Sequence, residues 1–324
     1  MKNSRKIEDL LTRSVEEIIV EKDLRKKLES GEKLRIKHGV DPTGRDLHIG
    51  HAVIYNKLKE FQDMGHTVIF LIGGFTARFG DPTDKHKGRK LRTKEDVEQK
   101  AENYINQVSK ILDIKKTEVR YNSEWYDKMS AEELLRIMSH FTVARMLERD
   151  MFVKRREEGL DIGLHEPVYP ILQAYDSVML KSDLTVIGTD QKFNELQARA
   201  LQRDFKQVPQ DVMTMKILVG TDGKKKMSKS QENYIGITEP AIEKFGKIMS
   251  IPDSVIVDYF ELATKISSVE ISEIKKSLDG GENPRDAKLR LAREMVRLYH
   301  GEKVSKEAED EFIKIFKNKE TPSD

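Results

Sequence analysis

Leu34-Arg35-Ile36-Lys37-His38-Gly39-Val40 alternates apolar and polar side chains as a short strand does, Asp41-Pro42-Thr43-Gly44 breaks it, and an amphipathic run from His48 to Met64 follows. The succession reads as strand, tight turn and helix. A helix amino terminus carries free backbone N–H groups and a partial positive charge, so an anion placed there is stabilised. His48 and His51 stand three residues apart, which puts both imidazoles on one side of the first turn, where they can donate to phosphate oxygens. Gly50, with no side chain, lets a flat base or ribose approach the backbone. Taken alone, the same pattern fits an ordinary surface helix with two incidental histidines.

A second element lies far along the chain, in Gly220-Thr221-Asp222-Gly223-Lys224-Lys225-Lys226-Met227-Ser228-Lys229-Ser230. Its glycines, hydroxyls and lysines describe an exposed, mobile, cationic loop. Ammonium groups on long stems suit following a pyrophosphate as it leaves rather than clamping it. A solvated lysine run or a targeting patch is the other meaning of such a cluster.

The order of these elements, with alternating strand and helix signals between them, resembles a class I aminoacyl-tRNA synthetase, and specifically the tyrosyl-tRNA synthetases, from about Ile7 to about Phe316. The motifs that carry the resemblance are Asp41-Pro42-Thr43, the tetrad His48 to His51, Gly80-Asp81-Pro82-Thr83, Tyr169-Pro170-Ile171-Leu172-Gln173-Ala174-Tyr175-Asp176, Gly188-Thr189-Asp190-Gln191-Lys192-Phe193-Asn194 and Lys226 to Ser230.

The resemblance implies that His48, Gly50 and His51 hold ATP, with Thr43 near the phosphates, Gly188 and Asp190 at the ribose, and Met227 in the loop whose Lys226 and Lys229 follow the pyrophosphate. It places the tyrosine ammonium on Asp81, Tyr169 and Gln173, the carboxylate near Gln191, and the phenol on Asp176. Lys37 and Gly39 belong to the same pocket, and Lys85 and Arg89 match a mobile basic loop suited to charge on the transferring phosphate.

The residues themselves leave other roles open. Tyr169, Gln173 and Asp176 fall on one face of a helix, where polar side chains are often just solvated, although the apolar neighbours Leu172, Val178 and Met179 argue for burial. Asp81 before Pro82 suits a turn or a helix cap, and Asp190 could cap the helix expected from Gln191 to Phe205. The chain also departs from the family: Lys37 stands where many relatives have a tyrosine that makes a second contact to the phenol, and Asp84 replaces a glycine. Asp176 is therefore expected to work with a different partner.

The implied reaction is attack of the tyrosine carboxylate on the α-phosphorus of ATP, giving tyrosyl-adenylate and pyrophosphate, then transfer of the tyrosyl group to tRNA(Tyr). Positioning and cationic groups would carry catalysis, since the attacking carboxylate is already ionised. Mg2+ would arrive with ATP, bound by phosphates and water, with no dedicated protein metal site. Tryptophanyl-tRNA synthetase is the nearest alternative; His51, Asp-Pro-Thr at 41–43 and Asn194 favour tyrosine. A paralogue kept as an RNA-binding module is the alternative from another class.

The expected fold is α/β, a Rossmann-like parallel sheet with a helical insertion followed by a smaller all-α domain. Residues 1–33 form an amino-terminal helical segment, with one amphipathic helix from Ile7 to Leu28, and 34–222 the catalytic domain. Strands are expected at Leu34 to Val40, Val68 to Ile72 and Asp183 to Ile187, and helices at Lys94 to Leu112 and Ala131 to Glu158. The insertion at about 128–160, with Phe141, Val143, Met146, Leu147, Met151 and Phe152, resembles the segment through which relatives form a homodimer; an ordinary core helix is the alternative. Residues 223–236 are the loop and 237–324 a helical region that the family uses on the anticodon stem. A further small RNA-binding domain usually follows in bacterial relatives; the chain, ending at Asp324, is expected to lack it and to charge tRNA weakly while forming adenylate normally.

Composition agrees with this placement. With 58 basic and 56 acidic residues the net charge is +2, so any RNA surface must be a local patch. The absence of cysteine excludes disulfides and thiolate zinc sites. The longest apolar stretch, Thr67 to Phe75, is far short of a membrane span, and Met1 to Arg13 lacks a secretory apolar core, so a cytoplasmic protein is expected.

Overall fold

The computed structural model describes residues 2–44, 46–81 and 92–318. Lys85 and Arg89, with Pro82, Thr83 and Asp84, lie outside the described residues. By packing, the chain divides into two units, the first Met1–Arg45 with Lys57–Met215, the second Asp46–Asn56 with Lys216 onward. The tetrad His48 to His51 thus groups with the carboxyl-terminal helices, where the sequence had placed it with the sheet.

The first unit is built on a six-stranded sheet of order β1-β6-β5-β2-β3-β4. Its strands are β1 (Val15–Ile19), β2 (Arg35–Val40), β3 (Thr67–Ile72), β4 (Thr117–Tyr121), β5 (Leu184–Gly188) and β6 (Asp211–Met215). Five run parallel, and β1 pairs antiparallel with β6 at the edge, so the sheet is Rossmann-like but mixed. Val68, Ile69, Phe70 and Ile72 of β3 are fully buried, as an apolar run covered on both faces should be. The order reverses beside β2, which has β3 on one side and β5 on the other. The carboxyl ends of such neighbours are where an open α/β sheet takes its ligands.

The single helix expected over Ile7 to Leu28 is instead helix Lys2–Thr12, strand β1 and helix Glu21–Glu29. Ser14 and Val20 flank β1 at φ 59° and 64°, left-handed positions that interrupt a helix without any glycine. Likewise Ala131 to Glu158 is three short helices, Ala131–Met138, Val143–Met146 and Asp150–Glu157. Ser130 and Thr142 restart the helix, their side chains accepting from the N–H groups of Glu133 and Arg145. Helix Tyr169–Leu180 packs on helix Lys192–Asp204 through Ile171, Ala174, Val178, Ala198 and Leu201.

In the second unit helices Ala241–Met249, Ile256–Ala263, Ser268–Asp279, Pro284–His300 and Glu302–Asn318 follow one another. Their core includes Phe245, Phe260, Leu291 and Met295, all fully buried. Among the described residues no helix is long and apolar enough to cross a membrane.

Candidate active site

In the first unit β2, β3, β5 and helix Tyr169–Leu180 bring together a polar cluster that alternates acids with amides and hydroxyls. Asp176 is 4% exposed, and its two carboxylate oxygens accept from Trp125 Nε1 at 3.0 Å and Asn122 Nδ2 at 3.3 Å. Burial pushes its pKa up to about 7, against the pull of Lys37 and of these donors. Asn122 also donates to Thr76 Oγ1 at 2.9 Å, and the Thr76 hydroxyl donates in turn to Asp41 Oδ1 at 2.8 Å. Asp41 Oδ2 accepts from the Tyr169 hydroxyl at 2.9 Å. Burial raises the Asp41 carboxyl to about 7 despite these two donors, and it holds the Tyr169 phenol well above its ordinary range. A Cβ on Gly73 would stand 1.9 Å from Asp41 Oδ1, so only glycine fits beside this carboxylate.

Lys37 does not face an open pocket. Its ammonium donates to Ser177 Oγ at 2.6 Å and to both oxygens of Glu195 at 2.9 and 3.0 Å, all fully buried, which commits its three protons. Removing one partner of such a pair strands the other charge, at a cost of about 3–5 kcal/mol. Glu195 also accepts from Gln173 Nε2 and Gln210 Nε2, both at 2.7 Å. Lys37 therefore acts on Asp176 through its charge, and the nitrogen donors on the Asp176 carboxylate are Trp125 and Asn122.

Asp81 accepts from Gln191 Nε2 at 2.9 Å and pairs with the buried Arg149 guanidinium at 3.1 Å. Asn194 Nδ2 donates to Gln173 Oε1 at 2.7 Å and to Gln191 Oε1 at 3.1 Å, which fixes the orientation of both glutamines. The helix Lys192–Asp204 has Gln191 at its N-cap with no side-chain cap bond from that residue, and Asp190 accepts from Gln191 Nε2 at 3.2 Å. A Cβ on Gly188 would meet Asp190 Oδ1 at 2.6 Å. Gly39 is exposed on β2, with space beside it out to Leu71 at 3.9 Å.

The second unit holds the histidines and lysines. His48 precedes helix Ile49–Asp63, and its carbonyl accepts from His51 N at 2.9 Å. The two imidazoles lie side by side, centroids 3.8 Å apart. The His48 backbone N–H donates to His51 Nδ1 at 3.2 Å, which places a neutral His51's proton on Nε2. Burial first, then the nearby charges of His51, Lys229 and Lys226, lowers His48 to about 2. His48 is thus a neutral ring, and its buried Nδ1 has no partner among the described residues. A Cβ on Gly50 would stand 3.0 Å from His48 Nδ1, so the glycine keeps this ring in place.

The lysine loop is more ordered than its composition suggests. Gly220 N donates to Lys225 O at 2.7 Å and Met227 N to Leu218 O at 3.1 Å, closing a turn with Lys226 exposed and Met227 buried at 2%. Asn233 ties it from behind: its Oδ1 accepts from Ser228 N at 2.8 Å, and its Nδ2 donates to Asp222 Oδ2 at 3.1 Å. Lys229 begins a short 3-10 turn capped by Ser228, and partial burial lowers its pKa.

Backbone pairing holds the histidines against the helical unit. Ile49 N donates to Ile235 O and Ile237 N to Leu47 O, both at 2.9 Å. The buried Lys244 donates to Gly236 O at 3.0 Å and Ile237 O at 2.8 Å, with its ammonium 4.3 Å from the Tyr299 ring centroid. Lys244→Met, which leaves two buried carbonyls unpaired, is expected to cost about 2–4 kcal/mol of stability. It is also expected to move the imidazole nitrogen resonances of His48 and His51. Denaturant unfolding and 15N spectra of the histidine rings measure both effects.

The sequence reading missed Asn122, Trp125, Thr76, Glu195 and Arg149. Each is a polar or aromatic residue buried far along the chain from its partner; Asn122 and Trp125 lie just past β4, on a stretch that carries no motif.

The family model described as tRNA synthetases class I (W and Y) matches residues 28–317. A tyrosine--tRNA ligase of Thermotoga maritima is 49% identical over 316 residues, 97% of this chain and 79% of that one. Another, of Geobacter metallireducens, is 51% identical over 320 residues, with 97% and 79% covered. Among solved structures, the Archaeoglobus fulgidus tyrosyl-tRNA synthetase complexed with L-tyrosine has a TM-score of 0.76 at 25% identity, covering 94% of this chain and 99% of that one. A C-terminally truncated Aspergillus nidulans mitochondrial tyrosyl-tRNA synthetase shares the fold, with a TM-score of 0.77 at 22% identity over 96% and 93%.

Proposed function

The chain belongs to the tRNA synthetases class I (W and Y), within its tyrosine--tRNA ligases, and from that premise we propose how its own residues serve the reaction. The reaction is ATP-dependent formation of tyrosyl-adenylate and transfer of the tyrosyl group to tRNA(Tyr). The observation that carries the site assignment is the buried Asp176 carboxylate between Trp125 and Asn122. Its oxygens accept from Trp125 and Asn122, the Tyr126 hydroxyl also bears on the carboxylate, and a remaining lone pair serves the substrate phenol. Phenylalanine would leave that acceptor desolvated and unpaired, so the site selects by what the wrong ligand lacks.

Asp81 takes the substrate ammonium, with the Tyr169 hydroxyl oxygen as a second acceptor. Gly39 leaves room for the ring beside β2. In the first unit Thr43, Gly188 and Asp190 serve the nucleotide; in the second His48, Gly50 and His51 hold phosphate oxygens, and Lys226 and Lys229 meet the charge that builds on the leaving pyrophosphate. Met227 supports these groups from a packing position, its Cβ 3.5 Å from where a Cβ on Gly50 would lie. Lys85 and Arg89 keep the role the family gives them. Mg2+ enters as a partner of ATP.

The exposed Val143 and Leu135 of the insertion, 75% and 64% accessible, support a homodimer, while Met146 and Phe152 are core. A dimer in sedimentation of the intact chain is expected. We read the protein as cytoplasmic.

Tyrosine affinity should depend on pH in a defined direction. Asp176, raised to about 7, must be ionised to accept the phenol proton. As pH falls below 7 the protonated fraction grows, so the tyrosine dissociation constant is expected to rise about tenfold per unit between pH 7 and 5. Above pH 7 this dependence levels off, until the substrate's own ammonium begins to lose its proton in the alkaline range. Calorimetric titration across that range checks it. Charging of tRNA(Tyr) with labelled tyrosine tests the function itself.

A further inference from the structure

Lys37 and Glu195, each 1% exposed, form an ion pair inside the first unit. Lys37 stands in mid-sheet, its backbone in register with Ile69 of β3 and Thr185 of β5. Its ammonium reaches the seam of two helices, donating to Ser177 on helix Tyr169–Leu180 and to Glu195 on helix Lys192–Asp204. Ser177 directly follows Asp176, so the cation is anchored one residue from the carboxylate that carries the site. Glu195 is held from two further sides, by the amides of Gln173 and Gln210. A buried ion pair returns little stability once both ions have left water, so its presence in this core points to a role beyond holding the fold.

We propose that Lys37 and Glu195 are positioning residues for phenol recognition: Glu195 fixes the ammonium at Ser177, and the ammonium holds Asp176 in its ionised form. This rests on reading Asp176 as the acceptor of the tyrosine phenol. A carboxyl as buried as Asp176 otherwise tends to keep its proton and forfeits the charge-assisted bond. Among the influences that oppose its burial, Lys37 stands first, ahead of Asn122, Tyr126 and Trp125. With its three protons committed to Ser177 and Glu195, the lysine supplies charge and offers the ligand no donor. Glu195 has a second duty, since it also orients Gln173, whose Oε1 accepts from Asn194. The other titratable groups around Asp176 stay silent near neutral pH: Tyr126 and Tyr169 are held well above the ordinary phenol range, and His38, which senses both members of the pair, is lowered to about 4. Asp41 titrates near 7 as Asp176 does, but its hydrogen bonds run to Thr76 and Tyr169.

The test uses the whole chain and the double variant Lys37→Met with Glu195→Gln, which removes both charges together and strands neither. Trp125 is the only tryptophan, and its indole N–H donates to Asp176, so its single indole resonance, followed from pH 5 to pH 9 without ligand, reports the ionisation of that carboxyl. The midpoint in the double variant is expected to lie at least about one pH unit above that of the wild type. Tyrosine affinity is then expected to fall about five- to tenfold at pH 7 and to return within about twofold of the wild type at pH 9, a rescue that lost packing would not show. Lys27→Met breaks the Lys27–Asp211 pair at the start of β6 and is the control for lost stability, with an unchanged midpoint expected. A double variant whose midpoint stays with the wild type, or a control that moves it as far, would overturn the proposal while leaving the tyrosine site standing. A wild-type chain that binds no tyrosine at any pH would instead sink the tyrosine reading and the proposal with it.

Discussion

Asp176→Ala is expected to lower kcat/KM for tyrosine activation by about 10²- to 10³-fold while leaving that for phenylalanine nearly unchanged. The selective loss is the charge-assisted bond to the substrate phenol; the acceptors for Trp125 Nε1 and one Asn122 proton are lost whichever amino acid is bound. Asparagine is no gentle substitute, because both carboxylate oxygens already face N–H donors and an amide would turn its own NH2 against one of them. Steady-state pyrophosphate exchange with each amino acid measures the discrimination directly. A parallel loss for tyrosine and phenylalanine would mean that Asp176 only supports the fold.

Lys229→Met is expected to lower kcat for adenylate formation by about 10²- to 10³-fold, with the tyrosine KM held within about twofold. The reason lies in the neutrality of His48, held near a pKa of about 2 by burial and by the adjacent cations. The tetrad therefore supplies hydrogen bonds, and charge at this turn comes from Lys226 and Lys229. Charge that develops only as pyrophosphate leaves is stabilised in the transition state and not in the ground state, so its loss falls on kcat. Stopped-flow adenylate formation separates the two parameters. An unchanged kcat with a raised tyrosine KM would place Lys229 in ground-state binding instead.

The parts of this account that were legible in the sequence are those written in local pattern. The strand–turn–helix from Leu34 onward, the one-face spacing of Tyr169, Gln173 and Asp176, and the Gly188–Asn194 turn are written in the spacing of neighbouring residues, although the partners of Tyr169 and Asp176 lie on other elements. What the sequence hid lies across the sheet. Arg149 meets Asp81 from the insertion, and Glu195 meets Lys37 from a helix more than a hundred residues on. A charged residue reads as surface unless its partner is known, so neither the burial of Arg149 nor the commitment of Lys37 to Glu195 is visible in local pattern. β1 was lost for a different reason: five residues at a sheet edge, flanked by left-handed Ser14 and Val20, break no helical charge pattern. The insertion's breaks were readable, since Ser130 with Glu133 is a capping box and Thr142 an N-cap.

The most direct measurement is amino-acid-dependent exchange of labelled pyrophosphate into ATP by the intact chain, with tyrosine, tryptophan and phenylalanine side by side. Exchange driven by tyrosine, and by neither of the others at equal concentration, is the predicted result. Exchange driven equally by tryptophan, or none from folded protein that binds ATP, would contradict the central claim that Asp176 and its donors read the tyrosine phenol.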